Sequence, residues 1–166
     1  DRLVIVRGLR LDPNRMFSRT GAQRSFELQN PGAPAPRIRA ALDWLDRQRP
    51  NLLKPLLPPP GGLLLALHNN LTAYSVESEI GISESVSLPE RGQPHDFMIA
   101  SDPGDFERLS QTPFNVVLQH HPRGDDDGSL SRLCSARGIR YVNIEARLGH
   151  GPQQRAMLDW LEKNLP

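Results

Sequence analysis

Cysteine is nearly absent from this sequence: Cys134 is the only one in 166 residues. A single thiol excludes an internal disulfide framework and a cysteine-rich metal site. It is compatible with either side of a membrane. An excess of either charge sign is also missing, with 20 Lys and Arg against 19 Asp and Glu. Without a basic stripe, a nucleic-acid surface has no electrostatic support. No apolar run approaches the length of a membrane span, and no signal peptide is recognisable. The chain opens on Asp1 and reaches the apolar Leu3-Val4-Ile5-Val6 almost at once. A protein cut after its leader begins this way, and so does a piece cut from within a domain. The length suits one domain with a real core and is short for two.

What is present alternates between strand and helix patterns. Residues 2–6 read as a strand, and 8–35, rich in Arg, Pro, Gly and Asn, as a long loop. From Pro36 the apolar Ile38, Ala41, Leu42 and Leu45 share one helical face. That helix is expected to stop near Pro50, because the residue before a proline avoids the α region. Residues 63–68 form an apolar strand, covered on both faces, that ends at the turn-forming Asn69-Asn70. Residues 74–95 read as a mobile loop with one edge strand. Strands follow at 97–100, 114–119 and 140–146. Helices are expected at 103–110, capped by Asp102-Pro103, at 129–137, stopped by Gly138, and at 152–165. This order predicts an α/β fold, a mostly parallel or mixed central sheet flanked by helices.

Three polar groups stand beside the predicted strands. His68 ends one strand and Glu145 lies near the end of another, so parallel pairing would bring both to one crevice. Asn14 and Arg15 precede the apolar pair Met16-Phe17. Each has an ordinary explanation. His68 can cap the Asn69-Asn70 turn, and Glu145 can pair with Arg140 or Arg147. Arg15 can be a surface cation, and Asn14 turn material. Glu145 asks most for a reason, since an unpaired buried charge is costly.

The segments "LDPNRMF" (11–17), "LLLALHNN" (63–70) and "GSLSRLCSARGIRYVNIEA" (128–146) occur in that order. Together they resemble three successive signatures of the zinc metallocarboxypeptidases, the carboxypeptidase A-like family. The resemblance spans roughly the whole chain, and its last segment is the most specific. It implies that His68 is a zinc ligand, that Glu145 is the general base, and that Asn14 and Arg15 hold a terminal carboxylate. The chemistry suits these residue types. Zinc in a hydrolase takes three protein ligands and one water. A glutamate moves the proton of the attacking water to the leaving amine. An arginine fork pairs with a carboxylate through two parallel hydrogen bonds. The implied substrate is a peptide or small amide with a free carboxylate, with no nucleic-acid partner. Many members of the family are exported, so an exported protein is one expectation for a compartment that the sequence leaves open.

The family's first two zinc ligands come from a His-x-x-Glu motif ahead of the Asn-Arg pair, and this sequence contains none. His95, His120, His121 and His150 all lack a glutamate three positions on. A further arginine at the scissile carbonyl is also wanting. The expectation is therefore a single partial catalytic domain over 1–166. It would be the C-terminal portion of such a fold, with its first strands missing, inactive by itself, and with the His-x-x-Glu encoded upstream. The family's tyrosine before the glutamate strand has no clear counterpart. Three aspartates fill 124–129 instead, either a solvated loop or one that favours a basic substrate side chain. Tyr74 is a substitute aromatic without a spacing argument. Two alternatives stand beside this reading. One is an N-acyl amino acid deacylase of the succinylglutamate desuccinylase and aspartoacylase type. The other is a non-catalytic α/β module that binds a carboxylated ligand through Arg15 without metal.

Overall fold

A computed structural model describes residues 2–71 and 73–165. They form two compact units. The first comprises the chain up to Leu57 together with Asp125–Leu133, and the second comprises Pro58–Gly124 with the chain from Cys134 onward.

The first unit begins with a hairpin of β1 (Val4–Val6) and β2 (Leu9–Leu11), paired antiparallel with Val6 opposite Leu9. Its two-residue turn, Arg7-Gly8, has positive φ at both positions (51° and 77°). That is the backbone that matches the twist of a tight hairpin. A 3-10 turn over Pro13–Arg15 follows, capped by the Asp12 side chain. Helix α1 (Arg19–Gln29) then occupies much of the stretch that composition marks as loop. Its start is signed by Ser18, whose hydroxyl accepts from the Gly21 N–H at 3.1 Å. Its buried face is Ala22, Ser25 and Phe26. Helix α2 (Ala35–Leu53) buries Ile38, Ala41, Leu42 and Leu45, the spacing expected of it. It runs through Pro50 rather than ending there. Pro50 is exposed, and the ladder resumes one turn later with Lys54 N–H donating to the Pro50 carbonyl at 3.0 Å. The preceding residue, Arg49, is held in place by the Met16 carbonyl (2.9 Å) and Asp46 (2.6 Å). These anchors offset the steric objection to α backbone before proline. Val6, Leu9, Leu11, Phe26 and Leu45 belong to one core in this unit.

The second unit is built on a five-stranded mixed sheet in the order β3-β7-β5-β6-β4. The strands are β3 (Leu63–Asn70), β4 (Ser85–Ser87), β5 (Phe97–Ala100), β6 (Asn115–Leu118) and β7 (Arg140–Arg147). β3 and β7 run parallel, as do β5 and β6, whereas β5–β7 and β4–β6 are antiparallel. The helices are α3 (Val76–Ile80), α4 (Pro103–Leu109), α5 (Leu130–Arg137, begun in the other unit) and α6 (Gly151–Asn164). Asp102 caps α4 by accepting from the Asp105 N–H, and Gly138 follows α5 at φ 61°. Residues 74–95 are more ordered than expected, since they hold α3 as well as the edge strand β4. Asn69 and Asn70 are not a turn. β7 pairs with β3 through both, so His68 stands inside the strand.

Period-two alternation divides β7. Val142, Ile144 and Ala146 pack with Met98, Val116 and the α6 residues Met157 and Leu161. Tyr141, Asn143 and Glu145 occupy the opposite face. Six consecutive residues of β7, from Tyr141 to Ala146, are buried.

Candidate functional site

The parallel pairing of β3 with β7 sets His68 directly opposite Glu145. Glu145 is 5% exposed. Its Oε1 accepts from His68 Nδ1 at 3.2 Å and from Asn143 Nδ2 at 3.0 Å. Its Oε2 accepts from Asn70 Nδ2 at 3.2 Å. A carboxylate that is ionised only accepts hydrogen bonds, and opposite one a neutral His68 would carry its proton on Nδ1. The lone pair of Nε2 then has no partner among the described residues, and the side chain is 38% exposed. A histidine held through one ring nitrogen by a carboxylate, with the other left open, has the chemistry to ligate a metal or to accept a proton.

No arginine or lysine among the described residues neutralises Glu145. Arg140 forks onto Asp105 instead, with Nη2–Oδ1 at 2.7 Å and Nε–Oδ2 at 3.0 Å. The hydrogen bond to Asp105 raises the Arg140 pKa further. Arg147 donates its backbone N–H to Asp96. The ordinary explanation of Glu145, an ion pair with one of these arginines, is therefore not the arrangement found.

The polar cluster extends past the strand end. Asn70 Nδ2 also donates to the His95 carbonyl at 2.7 Å. The next residue, Asp96, is buried and accepts from His150 Nδ1 at 2.8 Å. Asn70, Asn143 and this second histidine–carboxylate pair escape a reading of the sequence. A signal for Asn143 exists: in "YVNIEA" it stands two before Glu145, on the same strand face. The His150–Asp96 pair carries none, because the partners lie far apart in sequence.

Asn14 and Arg15 belong to the first unit. The Asn14 backbone N–H donates to Asp12 at 2.9 Å. The Arg15 guanidinium pairs with Asp127 at 2.8 Å, with the two side chains 42% and 45% exposed. Asp127 comes from the acidic loop, whose Asp125 meets Arg24 in the same way. This loop approaches α1 closely. A Cβ built on Gly21 would lie 2.3 Å from Gly128 Cα, and one on Gly128 would lie 2.4 Å from the Arg15 carbonyl oxygen. Of the residues proposed from sequence, the fold thus joins His68 to Glu145, and it gives Arg15 an internal carboxylate.

The donor set can be tested against zinc. Among the described residues, no three His, Cys, Asp or Glu side chains form a group able to hold a metal ion. Burial pushes the Cys134 thiol up to about 12, and Cys134 belongs to no such group. The residues present do not amount to the three-ligand set of a zinc hydrolase. Compared with known protein families, with curated proteins and with solved structures, the chain matches none of them.

Proposed function

We propose that this chain carries the proton-transfer and substrate-anchoring residues of a metallocarboxypeptidase-like hydrolase that cleaves a C-terminal peptide or amide bond. The observation that carries this reading is Glu145: a buried carboxylate with no arginine or lysine beside it among the described residues, bonded across the strand pair to a part-exposed histidine. A structural carboxylate at such depth is expected to have a cationic partner.

In the arrangement found, the Glu145 oxygens are engaged by His68, Asn143 and Asn70. In this reading Glu145 would have to release His68 to take a proton from the attacking water and return it to the leaving amine. His68 would offer Nε2 as one ligand of a metal, and no three-ligand group includes it among the described residues. A zinc ion, were its ligand set completed, would supply Lewis acidity at the scissile carbonyl. Arg15, with Asn14, holds the substrate's terminal carboxylate. Asp127 occupies that guanidinium here, and a substrate carboxylate would displace it.

A second reading has specific support. Arg15 already binds a carboxylate, and the described residues lack a three-ligand set. Both fit a non-catalytic module that captures carboxylated ligands. The zinc content of the complete gene product separates the two readings. Within the hydrolase reading, Arg15→Lys is expected to raise KM for peptides with a free C-terminus, because a point charge does not replace the bidentate fork. C-terminally amidated peptides should be poor substrates of the parent. Equal rates on free and amidated peptides would remove Arg15 from the site.

A further inference from the structure

Asn143 is a buried amide on β7, 5% exposed. Its one side-chain hydrogen bond is the 3.0 Å donation to Glu145 Oε1. Its own Oδ1 is buried and has no partner among the described residues. The Oδ1 of Asn70, the donor to Oε2, is orphaned in the same way. Leaving a buried acceptor unmade is destabilising, and such groups call for an explanation. Rotating either amide would not cure this, because an Oδ1 turned toward the carboxylate would set acceptor against acceptor. An apolar side chain at 143 would remove the orphan but would also take one donor from the buried Glu145 carboxylate. Asn70 has a second duty, at the His95 carbonyl. Asn143 has none.

We propose that Asn143 is a positioning residue for the Glu145–His68 pair. It pins Oε1 in the plane from which that oxygen receives His68 Nδ1–H, while Asn70 pins Oε2. The proposal rests on the reading of Glu145 as the base. Its consequence is that His68 is locked as the Nδ1–H tautomer with Nε2 bare, whereas free imidazole favours the proton on Nε2.

The tautomer is read directly from the ring nitrogen shifts of His68 in the 166-residue chain, without zinc and without substrate. The parent should show protonated Nδ1 and bare Nε2. Asn143→Leu keeps the volume and removes the donor, and it should shift His68 toward the tautomer mixture of free histidine. Ile144→Val, on the opposite face of β7, should lower Tm and leave the tautomer unchanged. If Asn143→Leu does not fold, Asn143→Ala carries the same expectation with less bulk. In the complete gene product the Asn143 variant should lose kcat by about 10–100-fold with KM kept. A His68 tautomer ratio in the folded Asn143 variant equal to that of the parent would overturn the proposal. Because this readout involves neither metal nor turnover, its failure would leave the hydrolase reading standing. Loss of the hydrolase reading would leave the tautomer result untouched.

Discussion

Taking an ionised carboxylate out of water costs several kcal/mol unless other groups replace the lost hydrogen bonds. Glu145 and Asp105 solve that problem differently. Asp105 is buried beneath a two-point contact with Arg140. Removing the cation should be expensive, so Arg140→Ala is expected to lower unfolding stability by roughly 3 kcal/mol, measured by denaturant titration. Glu145 has His68, Asn143 and Asn70 as donors and no arginine or lysine among the described residues. The contrast was half legible in the sequence. A glutamate inside Val, Ile and Ala announces itself, but two arginines nearby gave it an ordinary explanation. Only the pairing of β3 with β7 decides which residue it meets. Cys134 allows a second measurement at this scale. It is fully buried, with its thiol pushed up to about 12. It should resist a thiol reagent at pH 8 in the folded chain and react promptly on unfolding. Its linkage follows the same sign. A thiol raised from 9.0 to about 12 contributes its stability below pH 9 and loses it as pH climbs toward 12. Prompt reaction in the folded state would mean that the thiol is accessible.

At the scale of elements, the periodic segments could be read directly and the irregular ones could not. The face of α2 follows from Ile38, Ala41, Leu42 and Leu45, and the Asp102 cap of α4 from its residue type and the proline after it. Helix α1 was hidden because Gly21 and the surrounding polar residues lower its local propensity. The reason for Gly21 lies in a distant loop: Gly128 and the Asp127 carbonyl stand where a side chain would be. Gly21→Ala therefore gains helix propensity but loses more to overlap with backbone. The expected net effect is a destabilisation of about 1–3 kcal/mol. A gain in Tm would show that the close approach is not maintained in solution. Pro50 misled in the opposite direction, because its cost is local and the anchors on Arg49 are not. The Asn69-Asn70 pair looked like a turn by residue type and became strand because β7 continues alongside it.

The molecule as a whole divides into two compact units, each with its own core. The five-stranded mixed sheet fills one of them, and the Asn14-Arg15 turn lies in the other. No helix among the described residues is long and apolar enough to cross a membrane. Alternation of strand and helix made the α/β class readable. Sheet order was not, because it depends on pairings between segments distant in the chain. The central claim is that Glu145 serves as a base, and its most direct test is one variant of the complete gene product. Glu145→Gln keeps the shape of the side chain and removes its ability to take a proton. Zinc content, melting temperature and turnover are then compared with the parent. The account predicts that bound zinc and fold are retained while turnover falls by at least about 100-fold. Near-parental turnover with a lowered melting temperature, or a parent protein that holds no zinc, would contradict it.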